Sequence, residues 1–214
     1  MGTSSGNAVI VFDLDGTLID VAARDYAVYR DLLVEDRLEP LPFARYWPLR
    51  RERTNLATVL EHSRPEAAAY LDRFVARRSS CYEAPAYLEL DAVLPGVTQT
   101  LAGLAERYTC RLITSRTAES ATKRQLDALG LTKYFKSVHV AAGDKGPVLR
   151  SFENVIMVVG DTEHDIRLAR DHGYASFAVT TGMRSREFLA ALEPTHLCDG
   201  IDGVPSVLAH RYEI

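Results

Sequence analysis

Five short apolar runs, each breaking off into turn, hydroxyl or acidic residues, constrain this 214-residue chain more than any other feature. They are VIVF (9–12), CRLITS (110–115), SVHVA (137–141), VIMVVGD (155–161) and SFAVTT (176–181), with a weaker sixth, HLCD, at 196–199. They are short and rich in β-branched residues, the signature of strands buried on both faces. Between the later runs the period turns helical. The segment 96–108 opens on Pro95-Gly96, while 118–130 and 163–173 close on Gly130 and Gly173, where glycine C-caps a helix. Strands alternating with helices of this length predict crossover connections. The expected fold is therefore α/β, a doubly wound, mostly parallel sheet with helices on both faces.

Residues 21–88 break the rhythm: AARDYAVYRDLLVEDRL, ATVLEHS and PEAAAYLDRFVARRSSCYE are helical in period, with no convincing strand among them. They predict a helical insertion after the first strand, punctuated by turns at Pro40, Pro42, Pro48 and Pro65. The expected division is 1–20 for the first strand and its loop, 21–88 for the insertion, and 89–214 for the rest of the sheet.

At 47% hydrophobic and 25% charged residues the chain has the composition of a soluble protein able to bury a core. A net charge of −4 carries no basic field for nucleic acid. No apolar run approaches the ~18 residues that span a bilayer. The opening MGTSSGN has no charged, then apolar, leader pattern and is expected to be a frayed terminus. Cys81, Cys110 and Cys198 show no CxxC spacing and are read as reduced, buried thiols. The expected setting is cytoplasmic.

The first run ends in Asp13 and Asp15, one residue apart. Two carboxylates at the end of a buried strand disfavour each other, and burial disfavours both, unless a cation, a proton or a catalytic task compensates. In open α/β sheets ligands bind beyond the carboxyl ends of the strands. Thr114 and Ser115 reach that edge from the second run, Lys145 follows SVHVA, and Asp161 and Asp165 follow VIMVVG. Three inward carboxylates, Asp13, Asp15 and Asp161, want a hard cation, and magnesium fits because it takes few carboxylates and keeps phosphate oxygens in its shell. Lys145 and Thr114 are placed to hold a phosphoryl group, and the turn after Asp13 offers backbone N–H groups as an anion seat.

The residues DLDGT (13–17), the run into Thr114, Lys145 ahead of Pro147, and GDTEHD (160–165) resemble the four serial motifs of the haloacid dehalogenase superfamily of hydrolases. The resemblance spans nearly the whole core. The helical insertion resembles the family's small helical cap, as in phosphoglycolate phosphatases and their relatives, and AVTTGMRS (178–185) resembles a segment those chains carry after the fourth motif. The resemblance implies a magnesium-dependent phosphatase acting on a small phosphomonoester. Asp13 is then the nucleophile that forms an aspartyl-phosphate. Asp15 is the acid and base, with a pKa raised by neighbouring carboxylates. Asp13, the Asp15 carbonyl and Asp161 hold the metal, Thr114, Ser115 and Lys145 bind phosphate, and Asp165 organises from behind. Gly146 stands between Lys145 and Pro147, where relatives place the proline sooner, and Ser115 stands where relatives carry asparagine.

Arg50, Arg51 and Arg53 are read either as contacts to an anionic substrate group or as a solvated helical face. Residues 76–78 are read as helix surface, Tyr46 and Trp47 as packing residues, and His164 as a surface residue. A dehalogenase has no need of an acid at Asp15. A sugar phosphomutase and a non-catalytic metal- or phosphate-binding protein remain as alternatives. The expected partner is a small phosphorylated metabolite, with no nucleic acid and no membrane, and the expected state is monomer or homodimer.

Overall fold

The computed structural model describes residues 8–63 and 69–211; the MGTSSGN terminus and the turn expected at Pro65 lie outside them. The chain begins with β1 (Val9–Phe12) and the two-residue β2 (Ile19–Asp20). Five helices follow: α1 (Ala22–Glu35), α2 (Phe43–Arg51), α3 (Leu56–Ser63), α4 (Leu71–Cys81) and α5 (Pro85–Leu88). It returns through β3 (Ala92–Val93), α6 (Val97–Ala105), β4 (Thr109–Thr114), α7 (Glu119–Ala128), β5 (Ser137–Val140) and α8 (Gly146–Arg150). The remainder is β6 (Val155–Gly160), α9 (Glu163–Asp171), β7 (Ala175–Val179), α10 (Arg186–Ala190), β8 (His196–Cys198) and α11 (Val204–Arg211).

Six strands form one parallel sheet in the order β5-β4-β1-β6-β7-β8. All four residues of β1 are buried, and their alternation feeds two cores: Ile10 and Phe12 join one face, Val9 and Val11 the other. Period-two burial on both faces is what a central strand of a doubly wound sheet requires. The chain lays β4 and β5 to one side of β1, then crosses back to place β6, β7 and β8 on the other. The order therefore reverses between β1 and β6, where this class of sheet opens its ligand crevice.

The strands β2 and β3 pair antiparallel, Ile19 with Val93 and Asp20 with Ala92. This ribbon carries the chain into and out of the five helices. Two residues per strand leave no periodicity to read in the sequence. Helices α1–α4 share their own apolar cluster, which includes Val28, Tyr29, Leu33, Tyr46, Leu60 and Phe74. Tyr46 is fully buried and stacks on Tyr29 at 4.1 Å between ring centroids. At its polar centre Asp25, also buried, accepts bonds from Tyr46, Arg50, Arg78 and Tyr82.

Two expectations are corrected here. Pro48 does not make a turn but lies inside α2. An interior proline gives up its own N–H bond and crowds the carbonyl four residues back, yet the Glu52 N–H still reaches the Pro48 carbonyl at 3.0 Å, and the burial of Tyr46 anchors the turn before it. Arg78 is not helix surface: it turns inward to Asp25 at 2.6 Å. Of the three cysteines, Cys110 is buried while Cys81 and Cys198 are half-buried; none forms a disulfide. Among the described residues no helix is long and apolar enough to cross a membrane.

Candidate functional site

Three adjacent central strands end together and deliver Asp13 from β1, Thr114 from β4 and Asp161 from β6 to one edge. Asp13 continues the ladder, its N–H bonding the Val159 carbonyl at 2.9 Å, so its position is fixed by the sheet itself. The chain then turns through Gly16 at φ +81°, a left-handed conformation that favours glycine. The Gly16 and Thr17 N–H groups are taken by the carbonyls of Ile19 and Leu14. That narrows the expected anion seat to the head of the loop.

Lys145, the N-cap residue of α8, is buried and reaches both Asp13 Oδ1 (2.6 Å) and Asp165 Oδ1 (2.7 Å). The extra residue before Pro147 has a local explanation. The Gly146 N–H bonds the Asp144 side chain at 2.8 Å, so Pro147 falls in the first helical turn, where its missing N–H costs nothing. Asp165 spends its other oxygen on the Thr162 N–H and hydroxyl at the start of α9. Asp165 thus stands between Lys145 and the start of α9.

Asp161 accepts from the Thr17 hydroxyl (3.2 Å) and the Met183 N–H (2.6 Å), and its carboxylate lies between two glycines. A Cβ on Gly16 would fall 2.3 Å from Asp161 Oδ2, and one on Gly182 would fall 2.1 Å from the same atom. Only a bare backbone permits this approach. The loop after β7 is tied to the loop after β1 again by the Thr181 hydroxyl, which donates to the Gly16 carbonyl at 2.7 Å.

Buried carboxyl oxygens of Asp13, Asp161 and Asp165 all lie within 4.8 Å of one another. Burial first, then the charge of the neighbouring carboxylates, pushes Asp13 up to about 7 although Lys145 pulls it down. The same causes raise Asp161 well above the ordinary carboxylate range. Protein atoms alone leave this cluster short of positive charge, and an oxygen-only donor set of this kind fits a hard divalent cation.

Asp15 does not join the cluster, and its expected raised pKa is overturned. Its side chain turns away from Asp13 and Asp161 to Arg24 of α1 (2.5 Å) and to Arg116 just after β4 (2.9 and 2.6 Å). Burial pushes Asp15 up, but the two guanidiniums outweigh it and hold the group below the ordinary range. As a metal ligand only its backbone remains eligible. Asp91, just before β3, pairs with both arginines as well, 3.0 Å from Arg24 and 3.2 Å from Arg116.

Thr114 is buried beside this group, its hydroxyl accepting from the Arg116 N–H at 3.4 Å. Ser115 is exposed and lines a cavity of about 360 Å³ with Lys145, His164 and Arg167. A volume of that order suits a small metabolite. His164 is exposed, 3.5 Å from Glu163.

Protein groups hold each of the three arginines read as substrate contacts or solvated surface, and Arg53 is at the same time exposed. Arg50 bonds Asp25 (3.3 Å), Arg51 donates to the Thr180 and Arg184 carbonyls (2.6 and 3.1 Å), and Arg53 pairs with Glu163 (2.9 Å). Glu163 in turn takes a two-pronged bond from Arg184 (2.6 and 3.1 Å). Charge-assisted bonds of this kind are roughly twice as strong as neutral ones. Arg51 and Arg53 thereby fasten the helices to the sheet.

Sequence reasoning missed Arg24, Arg116, Asp91, Glu163, Thr17, Gly182 and the Met183 N–H. Of these, Thr17, Glu163, Gly182 and Met183 carried a signal, as members of the DLDGT, GDTEHD and AVTTGMRS segments.

The family model for haloacid dehalogenase-like hydrolase matches residues 8–173. A protein of Dickeya dadantii (strain 3937) named "Probable phosphatase IndB" is 32% identical over 211 residues, covering 89% of each chain. A phosphoglycolate phosphatase of Synechococcus elongatus is 28% identical over 204 residues, covering 89% of this chain and 92% of the relative. The solved structure of a haloacid dehalogenase-like family hydrolase from Streptococcus pneumoniae has the same fold, with TM-score 0.72 at 20% identity over 94% of this chain and 98% of that one.

Proposed function

Since the chain belongs to the haloacid dehalogenase-like hydrolases, we propose that it is a phosphatase that moves the phosphoryl group of a small phosphomonoester first to Asp13 and then to water. The observation that carries this reading is the Lys145 ammonium shared between Asp13 and Asp165 beside a raised Asp161. A carboxylate held by a buried cation is oriented for attack, and the same cation offsets phosphoryl charge as it arrives.

In the first half-reaction an Asp13 oxygen forms a bond to phosphorus. The bond from phosphorus to the ester oxygen breaks, its electron pair stays on that oxygen, and a proton from Asp15 makes the leaving alcohol. In the second, water attacks phosphorus, Asp15 takes the water's proton, and the Asp13 carboxylate is released with inorganic phosphate. Proton and charge return to their starting places. The ionised Asp15 of the structure is the form that the second half requires.

Asp13, the Asp15 carbonyl and Asp161 would hold magnesium, with Asp165 kept for Lys145. Bound there, the cation would supply charge stabilisation to the phosphoryl oxygens. Thr114 and Lys145 bind and orient the phosphoryl group. Ser115, on the rim of the cavity beside Lys145, faces the rest of the substrate. The helices α1–α5 act as a cap that excludes bulk water.

Phosphoglycolate is placed first among candidate substrates, in line with the named activity of several relatives. The test is phosphate release from a panel of small phosphomonoesters, with magnesium or chelator, by wild type and Asp13→Asn. Metal-dependent release that disappears in the variant is expected. No release from any ester would refute the proposal.

A further inference from the structure

We infer that Asp91, backed by Gln125, is a positioning residue for Asp15, acting on it through Arg24 and Arg116. The inference rests on the phosphatase reading above. Its basis is a closed ring of alternating charges. Asp15 contacts Arg24 Nη2 at 2.5 Å and Arg116 Nη2 at 2.6 Å, and Asp91 contacts the same two guanidiniums, at Arg24 Nε (3.0 Å) and Arg116 Nη2 (3.2 Å). Gln125 on α7 completes the backing. Its amide donates to Asp91 at 2.9 Å and to the Leu88 carbonyl at 2.7 Å, while its carbonyl accepts from Arg116 at 2.5 Å.

The arrangement has a reason. Arg24 and Asp91 side chains are wholly buried and Arg116 is nearly so, and buried charge is tolerated only when it is paired. Two cations and two anions balance, but the partners are not equivalent. Asp91 is enclosed. Asp15 keeps a quarter of its side chain exposed, at the edge where substrate must enter.

To hand a proton to an ester oxygen, Asp15 has to loosen its hold on two guanidiniums. Asp91 makes that exchange feasible, because both arginines retain a carboxylate when Asp15 turns to the substrate. Without the Asp91 charge, Asp15 is the only counter-ion left to the pair and is held in place. The ring also joins separate segments of the chain. Arg24 stands at the start of α1, Asp91 immediately before the returning β3, and Arg116 on the sheet edge. Asp15 is thereby coupled to the placement of the helical segment.

The reaction itself supplies a readout that a merely structural defect would not move. An alkyl ester needs a proton on its departing oxygen, whereas an activated aryl ester such as p-nitrophenyl phosphate departs without one. The quantity to compare is kcat/KM, which covers the steps through leaving-group departure. In magnesium-loaded Asp91→Asn, kcat/KM for the best alkyl ester should fall at least about tenfold, a part of the 10²–10⁴ typical of acid–base catalysis. The value for p-nitrophenyl phosphate should stay within a factor of about two, by the same argument. Gln125→Met, which keeps every charge of the ring, should shift the same ratio in the same direction by less.

Equal losses on both esters, or no loss on either, would overturn the inference. If Asp91→Asn does not fold, as judged by its thermal melt, Gln125→Met decides by the same ratio. Wild type that hydrolyses neither ester would refute instead the phosphatase reading on which the inference stands.

Discussion

Removing the divalent cation should make the protein lose stability as pH rises from 5 to 8, and Asp13→Asn should abolish much of that loss. Asp13 has a folded-state pKa of about 7 against an ordinary 3.8, because it is buried beside other carboxylates. For an acid raised in this way the native state binds more protons than the unfolded chain between the two values. Stability therefore falls as pH climbs through that interval, and the penalty is complete above pH 7. At about 1.4 kcal/mol per pH unit, the stretch from pH 5 to 7 amounts to on the order of 2–3 kcal/mol. For a chain of this size that corresponds to about 5–10 °C in melting temperature. Asparagine resembles the protonated carboxyl, so in chelator the variant should match wild type near pH 5 and exceed it near pH 8. Taking the difference between the two proteins cancels contributions they share, such as Asp91, which burial raises to about 6. Thermal melts at four pH values, in chelator and in excess magnesium, provide the measurement. Magnesium should shrink the gap by binding wild type preferentially. A difference in melting temperature that is constant across pH in chelator would refute the reasoning.

Two further outcomes follow from close packing and buried charge. Gly182→Ala should cost about 1–3 kcal/mol in urea unfolding and weaken magnesium binding by calorimetry, since its Cβ would overlap Asp161 Oδ2 and crowd the Gly16 backbone. Unchanged magnesium affinity would show that the Asp161 carboxylate need not be fixed by the glycine pair. Asp25→Asn should cost about 3–5 kcal/mol, because it leaves Arg50 and Arg78 without their buried carboxylate. Those arginines hold Asp25 well below the ordinary range against its burial, so its contribution is complete at neutral pH and is lost as pH falls through the carboxylate range. The variant's deficit should accordingly narrow in acid.

The sheet was legible because its strands are dictated by local features: β-branched runs of four to six residues that stop at glycine, hydroxyl or acidic residues. Asp13, Thr114 and Asp161 were legible for the same reason. Each ends a strand or directly follows one, so once the strands are adjacent the backbone brings the three together, whatever their side chains prefer. Lys145 needed one more step, since its reach depends on Gly146 delaying the helix by a residue, and the chain spends the Asp144 side chain to accommodate that. The β2–β3 ribbon was not legible, because two residues per strand have no period.

What the sequence withheld is the pairing of charges. Twenty-five cations and 29 anions admit very many matchings, and local spacing selects few of them. Arg50, Arg51 and Arg53 sit together in sequence yet part company in space, to Asp25, to backbone carbonyls near β7, and to Glu163. Asp15 shows the same failure where it matters most. Its neighbour in sequence is the nucleophile, and by proximity it belonged with the carboxylates. In the fold, Arg24 nine residues away and Arg116 a hundred and one residues away claim its side chain. Within a strand an i, i+2 pair shares a face, and by that rule Asp15 would stay with Asp13. But β1 ends at Phe12 and the chain turns through Gly16 at φ +81°, so the loop, not the strand, carries the Asp15 side chain to the two arginines. Strand periodicity therefore argued against the separation of the two carboxylates, and the partners that hold Asp15 come from three segments that only the fold assembles.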